Sequence, residues 1–144
     1  MDSIYSVCIP CNKTKELSQD KEYCIVKDKE KQETYKIGFH EYAKIYSIPG
    51  LYEYIFYDKL RCCSPEKVSS LLERAIKADS IDLSDLYVLE LGAGNGIVGE
   101  ELRKIGVKGV CGIDIEKLAE KAVKRDRPTV YEDYYVVDLT QLPQ

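Results

Sequence analysis

Val88-Leu89-Glu90-Leu91-Gly92-Ala93-Gly94-Asn95-Gly96 decides how this chain folds. From Tyr87 to Leu91 (YVLEL) the residues form a short apolar run broken by one acid, and the run opens directly into three alternate glycines. Glycine accepts the positive φ values that such a turn needs and puts no side chain where a ligand approaches. Val98, Leu102 and Ile105 then carry a helical stripe that stops at Gly106. The first N–H groups of a helix have no partner inside it, so strand, glycine turn and helix together form a binding cradle.

The same grammar continues toward the C-terminus. Val110 to Ile113 reads as a second strand, with Gly109 in the loop before it. Leu118, Ala119, Ala122 and Val123 stripe a helix stopped by Pro128, and Tyr134 to Val137 reads as a third strand. Each strand ends on an acid, Glu90, Asp114 and Asp138, at intervals of 24 residues. One strand, one turn and one helix fill such an interval, and repeated βαβ units imply parallel strands joined by right-handed crossovers. The expected class is therefore α/β with a Rossmann-like parallel sheet, whose ligands bind at the C-terminal ends of the strands.

Asp114 ends the strand beside the glycine turn, where a carboxylate can accept hydrogen bonds from both hydroxyls of a ribose. Asp138 ends the third strand and could receive the exocyclic amine of an adenine. Each feature also has a plain structural reading: a tight turn at Gly92 to Gly96, an N-cap at Asp114 for a helix beginning near Glu116, and a turn residue at Asp138. Their co-occurrence at regular spacing favours a nucleoside-shaped site. Gly94-Asn95-Gly96-Ile97-Val98-Gly99 also fits the G-x-G-x-x-G dinucleotide pattern, which makes an NAD(P)-dependent oxidoreductase the alternative. Glu90 weighs against that alternative. An acid just before the glycines suits an ammonium or sulfonium end and repels a pyrophosphate.

Val88 to Gly96 resembles the first motif of class I S-adenosylmethionine-dependent methyltransferases. Gly112-Ile113-Asp114-Ile115 resembles the second and Val137-Asp138-Leu139 the third, so the resemblance covers about residues 87–140. It implies S-adenosyl-L-methionine as cofactor. The methionine part would be held by Glu90, Leu91, Gly92, Ala93, Gly94, Asn95 and Gly96, the ribose by Asp114 with Ile115, and the adenine by Asp138 with Leu139. Residues 36–80 more loosely resemble the helical lead-in of bacterial methyltransferase-domain proteins. The family fold has seven strands, of which this sequence supplies the first three. No residue is therefore assigned to the methyl acceptor or to a catalytic base, and the chain alone is expected to transfer no methyl group usefully. A non-catalytic cofactor-binding remnant or scaffold is a further reading. In the family's sheet the first strand is flanked by the second and the fourth. Without the fourth, the strand bearing Val88, Leu89 and Leu91 is expected to expose an edge open to self-association.

Upstream, residues 1–38 read as an N-terminal extension. Glu22 to Lys27 and Thr34 to Phe39 can form a β-hairpin around the charged turn Asp28 to Glu33, although those charges would equally suit a frayed helix. Residues 39–80 read as a helical lead-in or lid, interrupted at Pro49-Gly50 and rich in tyrosine (Tyr42, Tyr46, Tyr52, Tyr54, Tyr57). Those rings are either a half-buried aromatic layer or a lid that touches a ligand. Ser64 and Pro65 start the clearest helix, striped by Val68, Leu71, Leu72, Ala75 and Ile76. Residues 81–144 form the cofactor-binding half.

Over 144 residues the net charge is −4, with 44% hydrophobic and 32% charged residues, so nothing draws the chain generally to nucleic acid or anionic membrane. No apolar run approaches the roughly 20 residues that span a bilayer. No secretory signal opens the sequence, so a cytoplasmic setting with reduced thiols is expected. Cys8-Ile9-Pro10-Cys11 has zinc-ligand spacing, and Cys24, Cys62, Cys63 or the single His40 could complete a set. No second paired motif accompanies it, so no metal is expected.

Overall fold

The structure, a computed structural model, describes residues 4–10 and 21–141. It divides into two compact units, Met1–Arg61 and Cys62–Gln144.

The first unit is a three-stranded antiparallel sheet in the order β1-β2-β3, followed by short helices. Strands β2 (Tyr23–Asp28) and β3 (Glu33–Gly38) form a hairpin in register from Tyr23↔Gly38 to Asp28↔Glu33. The charged stretch between them makes the turn because the Asp28 carboxylate accepts from the N–H groups of Glu30 (2.9 Å) and Lys31 (3.0 Å). A strand not expected from the sequence, β1 (Tyr5–Cys8), pairs antiparallel with the other side of β2. Helices α1 (Tyr42–Ser47) and α2 (Leu51–Glu53) follow, α2 running on as a π-helical turn over Tyr54–Lys59. Cys24, Val26, Ile37, Ile45, Leu51 and Ile55 are fully buried and form the core of this unit. Part of the tyrosine-rich stretch packs there: Tyr46 is buried, Tyr52 packs on the core and meets Tyr46 at 5.3 Å and Phe56 at 4.5 Å, whereas Tyr42 is exposed and stacks on Tyr46 at 6.0 Å.

Successive side chains alternate between sheet faces, so Cys24 points into the core while Cys8, paired opposite Ile25, points to the other face. The two thiols therefore cannot share a metal. Cys11 lies outside the described residues. Among the described residues no cluster of three or more His, Cys, Asp or Glu is placed to hold a metal ion. No helix among them is long and apolar enough to cross a membrane.

The second unit opens with α3 (Ser64–Ala78). Its buried line runs through Pro65 and Ser69 to Leu72 and Ile76, the last two packed on the core. Val68 and Leu71, expected on the inner face, are exposed, because the line that packs is rotated around the helix from the one the apolar residues mark. Three parallel strands follow, β4 (Tyr87–Leu91), β5 (Gly109–Asp114) and β6 (Asp133–Val136), in the order β4-β5-β6. They alternate with α4 (Ile97–Lys104) and α5 (Lys117–Asp126). Gly109 is the first residue of β5, paired with Tyr87, and not part of a loop. A side chain there would meet the Tyr87 ring and the Glu132 carboxylate, so its substitution disturbs the start of the sheet.

Leu83, Leu102, Val107 and Val110 form the core of this unit, with Val88, Val98 and Ile105 packed against it. On the other face of β4, Tyr87, Leu89 and Leu91 are 62%, 58% and 61% exposed. Among the described strands β4 pairs only with β5, so it is an edge.

Candidate functional site

The glycine turn hangs from the end of β4 and is stitched to the end of β5. Gly92, Gly94 and Gly96 take φ of +74°, +54° and +85°, left-handed values that side chains other than glycine rarely adopt. The N–H groups of Gly92 and Ala93 both donate to the Ile113 carbonyl, at 2.8 and 3.0 Å. The Gly94 N–H donates to Asp114 Oδ2 at 2.8 Å. Gly96 is the N-cap of α4. Ala93 and Asn95 are buried, whereas Gly92 and Leu91 are exposed. The turn thus keeps Ala93, Asn95 and Gly96 inward and leaves Gly92 outward, with Gly94 half-buried between them.

Asp114 joins the two halves of the site. Its Oδ1 accepts from the Glu116 N–H at 2.8 Å, while Glu116 caps α5 by accepting from the Leu118 N–H at 3.0 Å. The N-cap of α5 is therefore Glu116 and not Asp114, which instead bonds the backbone on either side of it, at Gly94 and at Glu116. A carboxylate offers about four lone-pair sites, and these backbone bonds occupy two. Ile115 beside it is exposed.

Asp138 stands two residues past the end of β6. Its Oδ1 accepts from both the Thr140 N–H (2.9 Å) and the Thr140 hydroxyl (2.7 Å), heading a 3₁₀ turn over Leu139–Gln141. Those bonds hold its carboxyl below the usual range. The Val137 N–H donates to the Asp114 carbonyl at 2.9 Å, which brings the Asp138 segment alongside the end of β5. Leu139 is exposed. All three sequence-predicted clusters thus meet at the C-terminal ends of the strands.

Three residues given no site role in the sequence brace the turn. The Tyr131 hydroxyl donates to Glu90 Oε2 at 2.8 Å, and the Tyr134 hydroxyl donates to the Gly94 carbonyl at 2.7 Å. Arg127 Nη1 donates to the Asn95 carbonyl at 3.2 Å while its Nε donates to Glu100 Oε2 at 3.0 Å. The two tyrosine rings meet edge to face at 5.3 Å. They fit because Gly99 and Gly112 leave room. A Cβ at Gly99 would lie 2.6 Å from the Tyr131 hydroxyl, and one at Gly112 would lie 2.8 Å from the Tyr134 ring. The signal available in the sequence was Gly112, which the register sets between Glu90 on β4 and Tyr134 on β6.

Burial pushes the Glu90 carboxyl up to about 7; the Tyr131 hydrogen bond opposes that rise and the negative charge of Asp114 adds to it. Glu90 therefore carries a proton-sensitive charge close to neutrality, near the end of β4 and two residues before the glycine turn.

The chain matches no protein-family model. Short segments of it resemble ribosomal protein L11 methyltransferases. The match to the protein of Shewanella baltica (strain OS195) is 50% identical over 38 residues, 26% of this chain and 13% of that protein. The match to the protein of Prochlorococcus marinus (strain AS9601) is 42% identical over 48 residues, 33% of this chain and 16% of the relative. The match to that of Shewanella sp. (strain ANA-3) is 46% identical over 46 residues, 32% of this chain and 16% of the relative. The aligned segment thus spans about a sixth or less of the length of these curated relatives.

Proposed function

We propose that residues 87–140 are the cofactor-binding part of a Rossmann-like, class I methyltransferase that uses S-adenosyl-L-methionine in a cytoplasmic setting. The observation that carries this reading is the bond from the Gly94 N–H to the Asp114 carboxylate. It ties the glycine turn, open to solvent at Gly92, to an acid with unused acceptor capacity. The short matches to methyltransferases point the same way.

The residues present fit such a ligand. A Cβ at Gly92 would meet nothing within 4 Å, so the outer side of the turn is open for close approach of a ligand. Asp114 retains two acceptor sites for ribose hydroxyls. Glu90 offers a carboxylate to an ammonium group, and Asp138 with Leu139 offers an acceptor and an apolar edge to a purine. When bound, S-adenosylmethionine supplies an electrophilic methyl group on a sulfonium. This chain's residues bind and orient the ligand, and alignment is a large part of the barrier to methyl transfer. The half-buried acid just before the glycines argues against a pyrophosphate at the same place, and so against the oxidoreductase reading. No residue of the chain is assigned to the acceptor.

Calorimetric titration with S-adenosylhomocysteine tests the proposal. Asp114→Asn keeps one acceptor oxygen and loses the charge. It should weaken binding by about 1.5–3 kcal/mol, the worth of hydrogen bonds to a charged group. Undiminished affinity in that variant contradicts the ribose clamp.

A further inference from the structure

Glu90 stands on the half-buried face of β4, two residues before Gly92, and one of its oxygens already has a partner. The partner in place is Tyr131, in the connection between α5 and β6. Its hydroxyl lies 2.8 Å from Glu90 Oε2. Its ring is fixed from several sides: by the Tyr134 ring edge-on, by the space above Gly99, and by the core of the second unit, against which it packs. A phenylalanine would fill the same volume and make the same ring contacts, so the hydroxyl is the part that packing does not explain. Resting on the reading above, we propose that Tyr131 is a positioning residue for the cofactor site: it pins one oxygen of Glu90 just before the glycine turn and so presents the other to the ammonium end of the ligand.

The charged and titratable groups around this pair are consistent with that role. Asp114 faces Glu90 from β5, and Tyr131 and Tyr134 face it from the β6 side. Arg127, at the end of α5, acts on Tyr131 and pairs with Glu100 of α4. Burial and the charge of Glu90 both push the Tyr131 hydroxyl above its ordinary range, so it stays a proton donor at every working pH. The donor is thus constant and the acceptor is the group that titrates. Removing the donor disfavours the ionised carboxylate further.

The test is a pH series of affinities for two probes, measured on the whole chain. S-adenosylhomocysteine carries the ammonium, whereas 5′-methylthioadenosine has the nucleoside without the amino-acid end. For the unmodified protein, S-adenosylhomocysteine affinity should rise with pH around a midpoint near 7, following Glu90. In Tyr131→Phe that midpoint should move to about pH 8. The ionised fraction at pH 7 then falls about fivefold, affinity falls with it, and the loss is recovered above about pH 8.5. Methylthioadenosine affinity should not change. Glu90→Gln should abolish the pH dependence in both backgrounds. Equal loss for the two probes with an unmoved midpoint would show that Tyr131 only packs, and would overturn the proposal. A normal pH profile in Glu90→Gln would overturn it too, since Glu90 would not be the titrating group. Failure of both probes to bind the unmodified protein would instead refute the cofactor site itself.

Discussion

Glu90→Gln should make this protein more stable while weakening its ligand site, and the gain should depend on pH. Burial raises the carboxyl from an ordinary 4.5 to about 7. Between those values the folded chain holds a proton that the unfolded chain has released. Folding stability therefore falls as pH rises through that window and stays reduced above it. At about 1.4 kcal/mol for each tenfold change in proton affinity, the ionised carboxylate costs the folded state about 3 kcal/mol. Glutamine has nearly the same shape, can still accept from the Tyr131 hydroxyl, and carries no charge at any pH. The variant and the unmodified protein should then be nearly equal in stability at pH 4.5, and the variant should lead by about 3 kcal/mol at pH 8. Urea melts of both proteins at pH 4.5, 6 and 8, followed by circular dichroism, measure the difference directly, and other titrating groups cancel in it. A difference that stays constant across pH would refute the reasoning, because Glu90 would then be no more costly to ionise when folded than when unfolded.

Gly99→Ala should push the Tyr131 hydroxyl off Glu90, since the added Cβ would lie 2.6 Å from it, costing about 1–3 kcal/mol of stability; thermal melts check this, and an unchanged midpoint would mean the close packing is absent. The five described cysteines are free, so a thiol titration under denaturing conditions should find at least these five reduced in protein prepared without oxidant, and metal analysis should find no bound zinc; a tightly held zinc would revive a site at Cys8 and Cys11. The unpaired edge of β4, with Leu89 and Leu91 exposed beside it, should make the chain self-associate at high concentration, and Leu89→Lys should suppress this in sedimentation experiments. A concentration-independent monomer would show that the edge is protected.

What the sequence made legible was local. Three alternate glycines after an apolar run require a strand that turns sharply into a helix, and the acids at 24-residue intervals mark the C-terminal ends of three successive strands, each one a pleat further along than the last because the register pairs residues 22 apart. The hairpin was legible because Asp28 makes its turn with its own neighbours. Other features depend on what meets in space. β1 has only four residues and takes its register from β2, so no periodicity reveals it. The inner line of α3 includes Pro65 and Ser69, which a search for apolar residues passes over. The brace of Tyr131, Tyr134 and Arg127 exists because Gly99 and Gly112 leave volume for two rings, and a glycine's empty space names no occupant in one dimension.

The most direct test of the central claim is to map ligand contact on the backbone itself. In amide ¹H–¹⁵N spectra of this 144-residue chain, S-adenosylhomocysteine should shift the resonances of Gly92, Gly94, Gly96, Ile115 and Leu139 together, with one common affinity, while those of the first unit's hairpin, Tyr23 to Gly38, stay in place. Unmoved turn resonances at millimolar ligand, or shifts centred away from the ends of β4, β5 and β6, would contradict the account.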